Sequence, residues 1–91
     1  MKTTEEMMKE ILELKKSKSD SIHFDVDKTT EIFVEILADQ NGDALQILIA
    51  WRNINTGKIF ELVICEYNDN EDIKISLNYI RSYILDDITT F

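Results

Sequence analysis

The stretch EIFVEILADQNGDALQILIAW, residues 31–51, decides the fold of this chain. On each side of Asn41-Gly42, apolar residues recur at every second position, which is the period of a β-strand with one buried face. Asn-Gly is a strong hairpin signal because both residues accept positive φ angles. A hairpin closed at this turn sets three pairs on one side of the sheet: Ile36 with Ile47, Val34 with Ile49, and Ile32 with Trp51.

Two further turns extend this hairpin into a meander. A loop at residues 28–30 predicts a preceding strand, and the turn Asn55-Thr56-Gly57 predicts a following one. A slip of one residue at any of these turns would turn a whole strand over. The pairs expected from the two turns are Val26 with Ile32, Phe24 with Val34, Ile22 with Ile36, Trp51 with Phe60, and Ile49 with Leu62.

A helix is predicted at each end of the chain. Thr3 and Glu6 have the spacing of a capping box, and an apolar stripe at helical spacing follows them. A polar segment at residues 68–72 then begins a second helix. The chain is therefore expected to form one α+β domain, residues 1–91, with the order α-β-β-β-β-α. The helical stripes are Met7, Met8, Ile11, Leu12 and Leu14, then Ile73, Leu77, Ile80, Ile84 and Ile88.

The charge of the chain is strongly negative, with a formal net charge of −8. Residues 1–18 are close to neutral, whereas the remainder carries fourteen acids and five bases. This balance disfavours direct binding to nucleic acid and to anionic membranes, both of which require Lys and Arg. The negative charge favours a protein partner with a basic surface. The simpler explanation of this charge is that it keeps the chain soluble.

The same sequence predicts a cytoplasmic protein. No segment approaches the roughly 20 apolar residues of a membrane span, and the acidic start differs from a signal peptide. The single Cys65 permits no internal disulfide. We expect the reducing cytoplasm of a cell, or of a host if the chain comes from a phage.

The second face of the predicted sheet is of mixed character. It is expected to be polar along the first two strands and apolar along the last two. Either a terminal helix crosses over and covers the apolar half, or that half is exposed as an interface, for example for a homodimer through Leu48 and Val63. The apolar half is predicted to contain Phe33, Leu37, Leu48, Ala50, Ile59, Val63, Cys65 and Tyr67.

Six acids are candidates for contact with a partner. Asp27 is expected directly opposite Glu31, a pair of like charges that sheet stability does not favour. The second helix ends in two acids, where the helix dipole disfavours anions. The simpler explanation for the acids of the first hairpin is a solvated edge hairpin. The simpler explanation for the two acids of the second helix is a frayed last turn. The candidates are Asp25, Asp27, Glu31, Glu35, Asp86 and Asp87.

Catalytic and metal-binding patterns are absent from the sequence. His23 has no second His or Cys near it, and Cys65 lies in an apolar strand where a packed thiol is the simpler interpretation. The acidic loop at residues 39–43 lacks the glycine position and the bidentate Glu of a calcium loop. We therefore expect no enzyme activity, no cofactor and no metal.

These features favour a small acidic inhibitor that occupies the basic, nucleic-acid-binding surface of a partner protein. The chain is similar in size, charge and α/β build to phage and plasmid DNA mimics that block restriction enzymes, repair glycosylases or CRISPR effectors. No motif ties it to one such family. The alternatives are an immunity or antitoxin protein against a basic toxin, and a dimerising assembly module.

Overall fold

The computed structural model describes residues 2–89, with side chains as far as Tyr83. The chain forms two helices and a four-stranded antiparallel sheet with strand order β1-β2-β3-β4, so the predicted α+β meander is confirmed. The elements are α1 (Thr4–Ser17), β1 (Ser21–Asp25), β2 (Thr30–Ala38), β3 (Ala44–Asn53), β4 (Ile59–Glu66) and α2 (Asn70–Thr89).

Helix α1 begins at the predicted capping box. The Thr3 hydroxyl accepts a hydrogen bond from the Glu6 backbone N–H (3.2 Å), and the Thr3 N–H donates to the Glu6 carboxylate (3.1 Å). This backbone hydrogen bond from Thr3 lowers the pKa of Glu6. The helix ends at Lys18, which adopts the left-handed conformation with φ 56°. Both ends of α1 are therefore determined by local hydrogen bonding.

The central hairpin has the predicted register, with Val34 opposite Ile49 and Ile32 opposite Trp51. Its loop is wider than a two-residue turn, because the Asp39 carboxylate accepts hydrogen bonds from the N–H groups of Asn41 and Asp43. A bulge between Leu37 and Ala38 absorbs the extra residues. Because the bulge lies beyond the core pairs, their register is unchanged.

The predicted register of β1 is wrong by two residues. Phe24 lies opposite Ile32, and Asp25 rather than Asp27 lies opposite Glu31. The strand ends early because the Asp27 carboxylate accepts hydrogen bonds from the N–H groups of Thr29 and Thr30, both 2.8 Å. A shift of two residues keeps each side chain on its predicted face.

The predicted register of β4 is wrong by one residue, which turns the strand over. Val63 lies opposite Ile49, where Leu62 was expected, and Glu61 lies opposite Trp51. Next to the turn the predicted register holds, because the Asn53 N–H donates to the Lys58 carbonyl and Arg52 lies opposite Ile59. A bulge between Arg52 and Trp51 then leaves Phe60 as one extra residue of β4 and shifts the rest of the strand. As a result Val63, Cys65 and Tyr67 face the helices, and Leu62 and Ile64 face away.

Both helices pack on the same face of the sheet. Their apolar stripes meet the inward side chains of β2, β3 and β4 in one core, where Trp51 is fully buried. The expectation that a helix crosses over to the other face is thus wrong for the described residues. The buried core consists of Met7, Ile11, Leu14, Val26, Ile32, Val34, Ile47, Ile49, Trp51, Cys65, Ile73, Leu77 and Ile80.

Polar contacts fasten the two helices together and to the sheet. The Thr4 hydroxyl donates to the Asn78 side-chain oxygen across the helix pair. The Lys15 ammonium donates to the Tyr67 carbonyl (2.6 Å) and the Asn70 side chain (2.8 Å). Burial lowers the pKa of Lys15. These contacts fix the helix layer on one side and leave the opposite side of the sheet free of helices.

Candidate binding surface

We call the sheet side away from the helices the outer face. Its side chains follow from the register, because residues in a strand alternate between the two sides. Cross-strand pairs place the outer residues of each strand next to one another. The outer face consists of Ser21, His23 and Asp25 of β1, Glu31, Phe33, Glu35 and Leu37 of β2, Gln46, Leu48, Ala50 and Arg52 of β3, and Ile59, Leu62, Ile64 and Glu66 of β4.

An apolar patch covers the β3 and β4 side of this face. We define it as Phe33, Leu48, Ala50, Ile59, Leu62 and Ile64. Ile59 is 59% exposed, and Leu62 and Ile64 are each 50% exposed. No residue in the described part of the chain packs over them. Contiguous exposed apolar surface of this kind typically marks a site of protein contact.

Glu31 connects the patch to the polar side of the face. Its side chain is only 10% exposed and is held from two directions. Arg52, its direct partner on β3, donates from Nε to Glu31 Oε2 at 2.9 Å, and its Nη2 forms an ion pair with the same oxygen at 2.9 Å. His23 Nδ1 lies 2.8 Å from Glu31 Oε1. Glu31 therefore has its charge compensated within the molecule, which is the usual requirement for a buried carboxylate.

A shallow concavity of about 440 Å³ lies beside this cluster. Its walls combine the charged cluster with apolar side chains of three strands. The concavity is open to solvent, and its lining contains no Ser, Thr, Cys or Lys side chain. The concavity can accept an apolar side chain of a partner, with polar groups at its rim. It is lined by His23, Glu31, Phe33, Ala50, Arg52 and Ile59.

The six acids predicted for partner contact fall into four groups. Asp25 and Glu35 are exposed on the outer face, Asp25 on the edge strand β1 and Glu35 directly opposite Leu48 of the patch. Glu31 is on the same face, but its charge is compensated by Arg52. Asp27 is committed to the β1–β2 turn. Asp86 and Asp87 lie in the last turns of α2, and their side chains are outside the described part of the structure.

The two residues predicted to form a homodimer interface lie on opposite faces of the sheet. Leu48 lies on the outer face as expected, whereas Val63 faces the helices and packs against the core. The exposed residues that the sequence interpretation missed are Leu62, Ile64 and Arg52. The alternation pattern gave no signal for Leu62 and Ile64, because the bulge at Phe60 determines which β4 residues point outward and β4 has apolar residues on both sides.

The thiol of Cys65 is packed in the core. Cys65 is buried, with its sulfur 3.3 Å from the Ser76 hydroxyl, and burial raises the pKa of its thiol. A thiol of this kind is a poor nucleophile at neutral pH. Residues 2–89 contain no cluster of three or more His, Cys, Asp or Glu side chains arranged for a metal ion.

No protein-family model, curated protein or solved structure matches the chain. None of the helices in the described region is long and apolar enough to cross a bilayer. The outer face therefore has to be interpreted from its own chemistry.

Proposed function

We propose that this chain is a small acidic binding protein that inhibits a partner by covering a basic, nucleic-acid-binding surface with its outer face. The observation that carries the proposal is the combination of an uncovered apolar patch with free carboxylates on one rigid sheet. Apolar anchors supply affinity at a protein interface, and charged groups around them supply steering and specificity.

The distribution of ion pairs supports a basic partner. Both ion pairs found among the described residues end on Glu31. Asp25 and Glu35 have no Lys, Arg or His nitrogen within 4 Å in that part of the chain. Their charge is therefore available to a partner. Arg and Lys side chains that normally bind phosphates would find comparable anionic groups on this face.

A second copy is a poor occupant for the outer face. Face-to-face association would bring Asp25 and Glu35 of both copies onto one interface. The two chains each carry a net charge of −8, so this arrangement places like charges together in a partly desolvated region. A partner with Lys and Arg around an apolar protrusion meets the same surface without that cost.

Affinity capture with matched variants tests the proposal. The immobilised chain is exposed to lysate at about 50 mM salt, and bound protein is eluted by a salt gradient. Asp25→Lys/Glu35→Lys and Leu48→Asp should each weaken capture by about tenfold or more. Duplex DNA should compete for the captured protein, because it would occupy the same basic surface.

The control is Leu12→Asp, which places the same charge on an exposed residue of α1 in the helix layer. It should leave capture unchanged. Equal losses for Leu12→Asp and Leu48→Asp, or an affinity that does not change with salt, would refute the proposal. A captured toxin nuclease would identify the inhibitor as an immunity protein, which uses the same surface.

A further inference from the structure

We propose that two copies of this chain pair through the open edge of β4, antiparallel and centred on Val63. The two edges of the sheet differ in how well they are protected. β1 is five residues long and exposes Ser21, His23 and Asp25 on its outer side. β4 is eight residues long, has no proline, and consists mostly of apolar residues. Long apolar edges without protection favour pairing with another strand.

The backbone of β4 shows which groups are available for this pairing. The Tyr67 N–H donates to the Leu45 carbonyl of β3, so the backbone N–H of Tyr67 points toward β3. In an antiparallel ladder, residues two apart point to the same side. Val63 and Cys65 therefore bond to β3, and the N–H and C=O groups of Leu62 and Ile64 point to the open edge. No other strand of the described region lies beside that edge.

An antiparallel pair centred on Val63 is complementary to itself. It sets Leu62 opposite Ile64 of the second copy and, by symmetry, Ile64 opposite Leu62 of the second copy. Glu61 then lies opposite Cys65, so no acid of β4 directly faces another acid. Apolar cross-strand pairs of this kind stabilise a sheet, whereas opposed like charges destabilise it. The strand therefore offers a second copy of itself a matched register.

Exposed apolar side chains continue around this edge onto α2. Ile75 is 57% exposed and Tyr79 is 50% exposed. The Tyr79 hydroxyl reaches the Glu61 carboxylate of β4 at 3.4 Å, which places this part of the helix beside the edge. Pairing of the strands brings the two α2 helices toward each other and covers these residues. Edge pairing thus buries surface on both sides of the sheet.

Salt should affect this dimer and the proposed partner complex in opposite directions. Two chains of net charge −8 repel each other over distances of about a Debye length, roughly 8 Å at physiological ionic strength. Added salt screens that repulsion and should strengthen the dimer. The same salt should weaken binding to a basic partner, so the two proposals can fail independently.

Sedimentation velocity with paired variants tests the edge. The wild type should dimerise at micromolar concentration, more tightly as NaCl rises. Ile64→Lys places a charge on the open edge and should weaken the dimer by at least about tenfold. Leu48→Lys places the same charge on the outer face of an interior strand and should leave it intact. A dimer lost with Leu48→Lys but retained with Ile64→Lys would show face-to-face contact and overturn the proposal.

Amide hydrogen exchange provides an independent test that does not require a variant. The Leu62 and Ile64 amides should be protected above the dissociation constant of the dimer and exchange freely below it. The Val63 and Cys65 amides bond to β3, so they should be protected at both concentrations. Free exchange of Leu62 and Ile64 in a sample that sediments as a dimer, or a strict monomer at micromolar concentration, would refute edge pairing.

Discussion

The charge of Glu31 is not available to a partner, because the register of the sheet places Arg52 beside its carboxylate. Asp25 lies directly opposite Glu31 on β1, a pair of like charges that would destabilise the hairpin. Arg52 lies directly opposite on β3 and compensates this repulsion with a hydrogen bond from Nε and an ion pair from Nη2 to one carboxylate oxygen. The cluster therefore stabilises the sheet and leaves Asp25 as the acid with a free charge.

We expect Arg52→Met to destabilise the protein by about 1–3 kcal/mol, because it removes the main compensation of a largely buried carboxylate. Glu31→Gln/Arg52→Met should recover part of this loss, since the charge is then absent. Urea unfolding provides the measurement. Lys58→Met is the control, because Lys58 is exposed, and it should change the free energy of unfolding by less than about 0.5 kcal/mol. Similar losses for Arg52→Met and Lys58→Met would contradict the structural role of the Glu31 cluster.

The elements differ in how far their sequence determines them. The β2–β3 pairing was predictable because apolar residues on one face and a hairpin signal agree on one register. The two outer strands were harder to place, because a turn side chain ends β1 early and a bulge shifts the register of β4. Asp27 closes the first turn and Asn53, which accepts hydrogen bonds from the Asn55 and Thr56 N–H groups, closes the third.

β4 could not be oriented from its own pattern. Residues 59–65 are apolar on both sides of the strand, so alternation is compatible with either orientation. The turn places Ile59 in the predicted register opposite Arg52, and the extra residue Phe60 at the bulge then turns the rest of the strand over. The compensation of the Glu31 charge could not be predicted from the sequence either, because it depends on which residues of β1 and β3 lie beside Glu31.

Gly57 offers a test of the turn between β3 and β4. It has a φ of +73°, and its N–H donates to the Asn53 carbonyl at 2.9 Å. Gly57→Ala should destabilise the protein by about 1–2 kcal/mol, because an L-residue is strained in the left-handed region. Nothing lies within 4 Å of an added Cβ, so the loss comes from the backbone rather than from a clash.

Gly57→Asn is the matched variant for this test, because Asn adopts positive φ more readily than Ala. Its loss in the thermal or urea midpoint should be clearly smaller. If both substitutions were neutral, the turn would not hold Gly57 in the left-handed conformation.

At the scale of the whole molecule, the two helices leave the sheet with one packed side and one open side. Their stripes could be predicted from the sequence, but their placement on the same face could not, because the β4 side chains that they cover were assigned to the other side. The excess of acidic residues could also be read from the sequence. Which acids remain free became apparent only with the register, since Glu31 is compensated and Asp25 and Glu35 are not.

The same excess of charge predicts how the stability of the folded chain responds to salt. The net charge is −8, and the ion pairs of the described region both involve Glu31, so long-range repulsion should outweigh attraction. Raising NaCl from about 10 to 300 mM should increase the urea midpoint, because screening relieves repulsion in the compact state. Urea is uncharged and leaves ionic strength unchanged. Glu35→Lys lowers the excess negative charge at an exposed site and should reduce this salt dependence, whereas Leu12→Ser should not. A midpoint that falls with salt would mean that attractive pairs dominate, and the free negative potential invoked for partner binding would not exist.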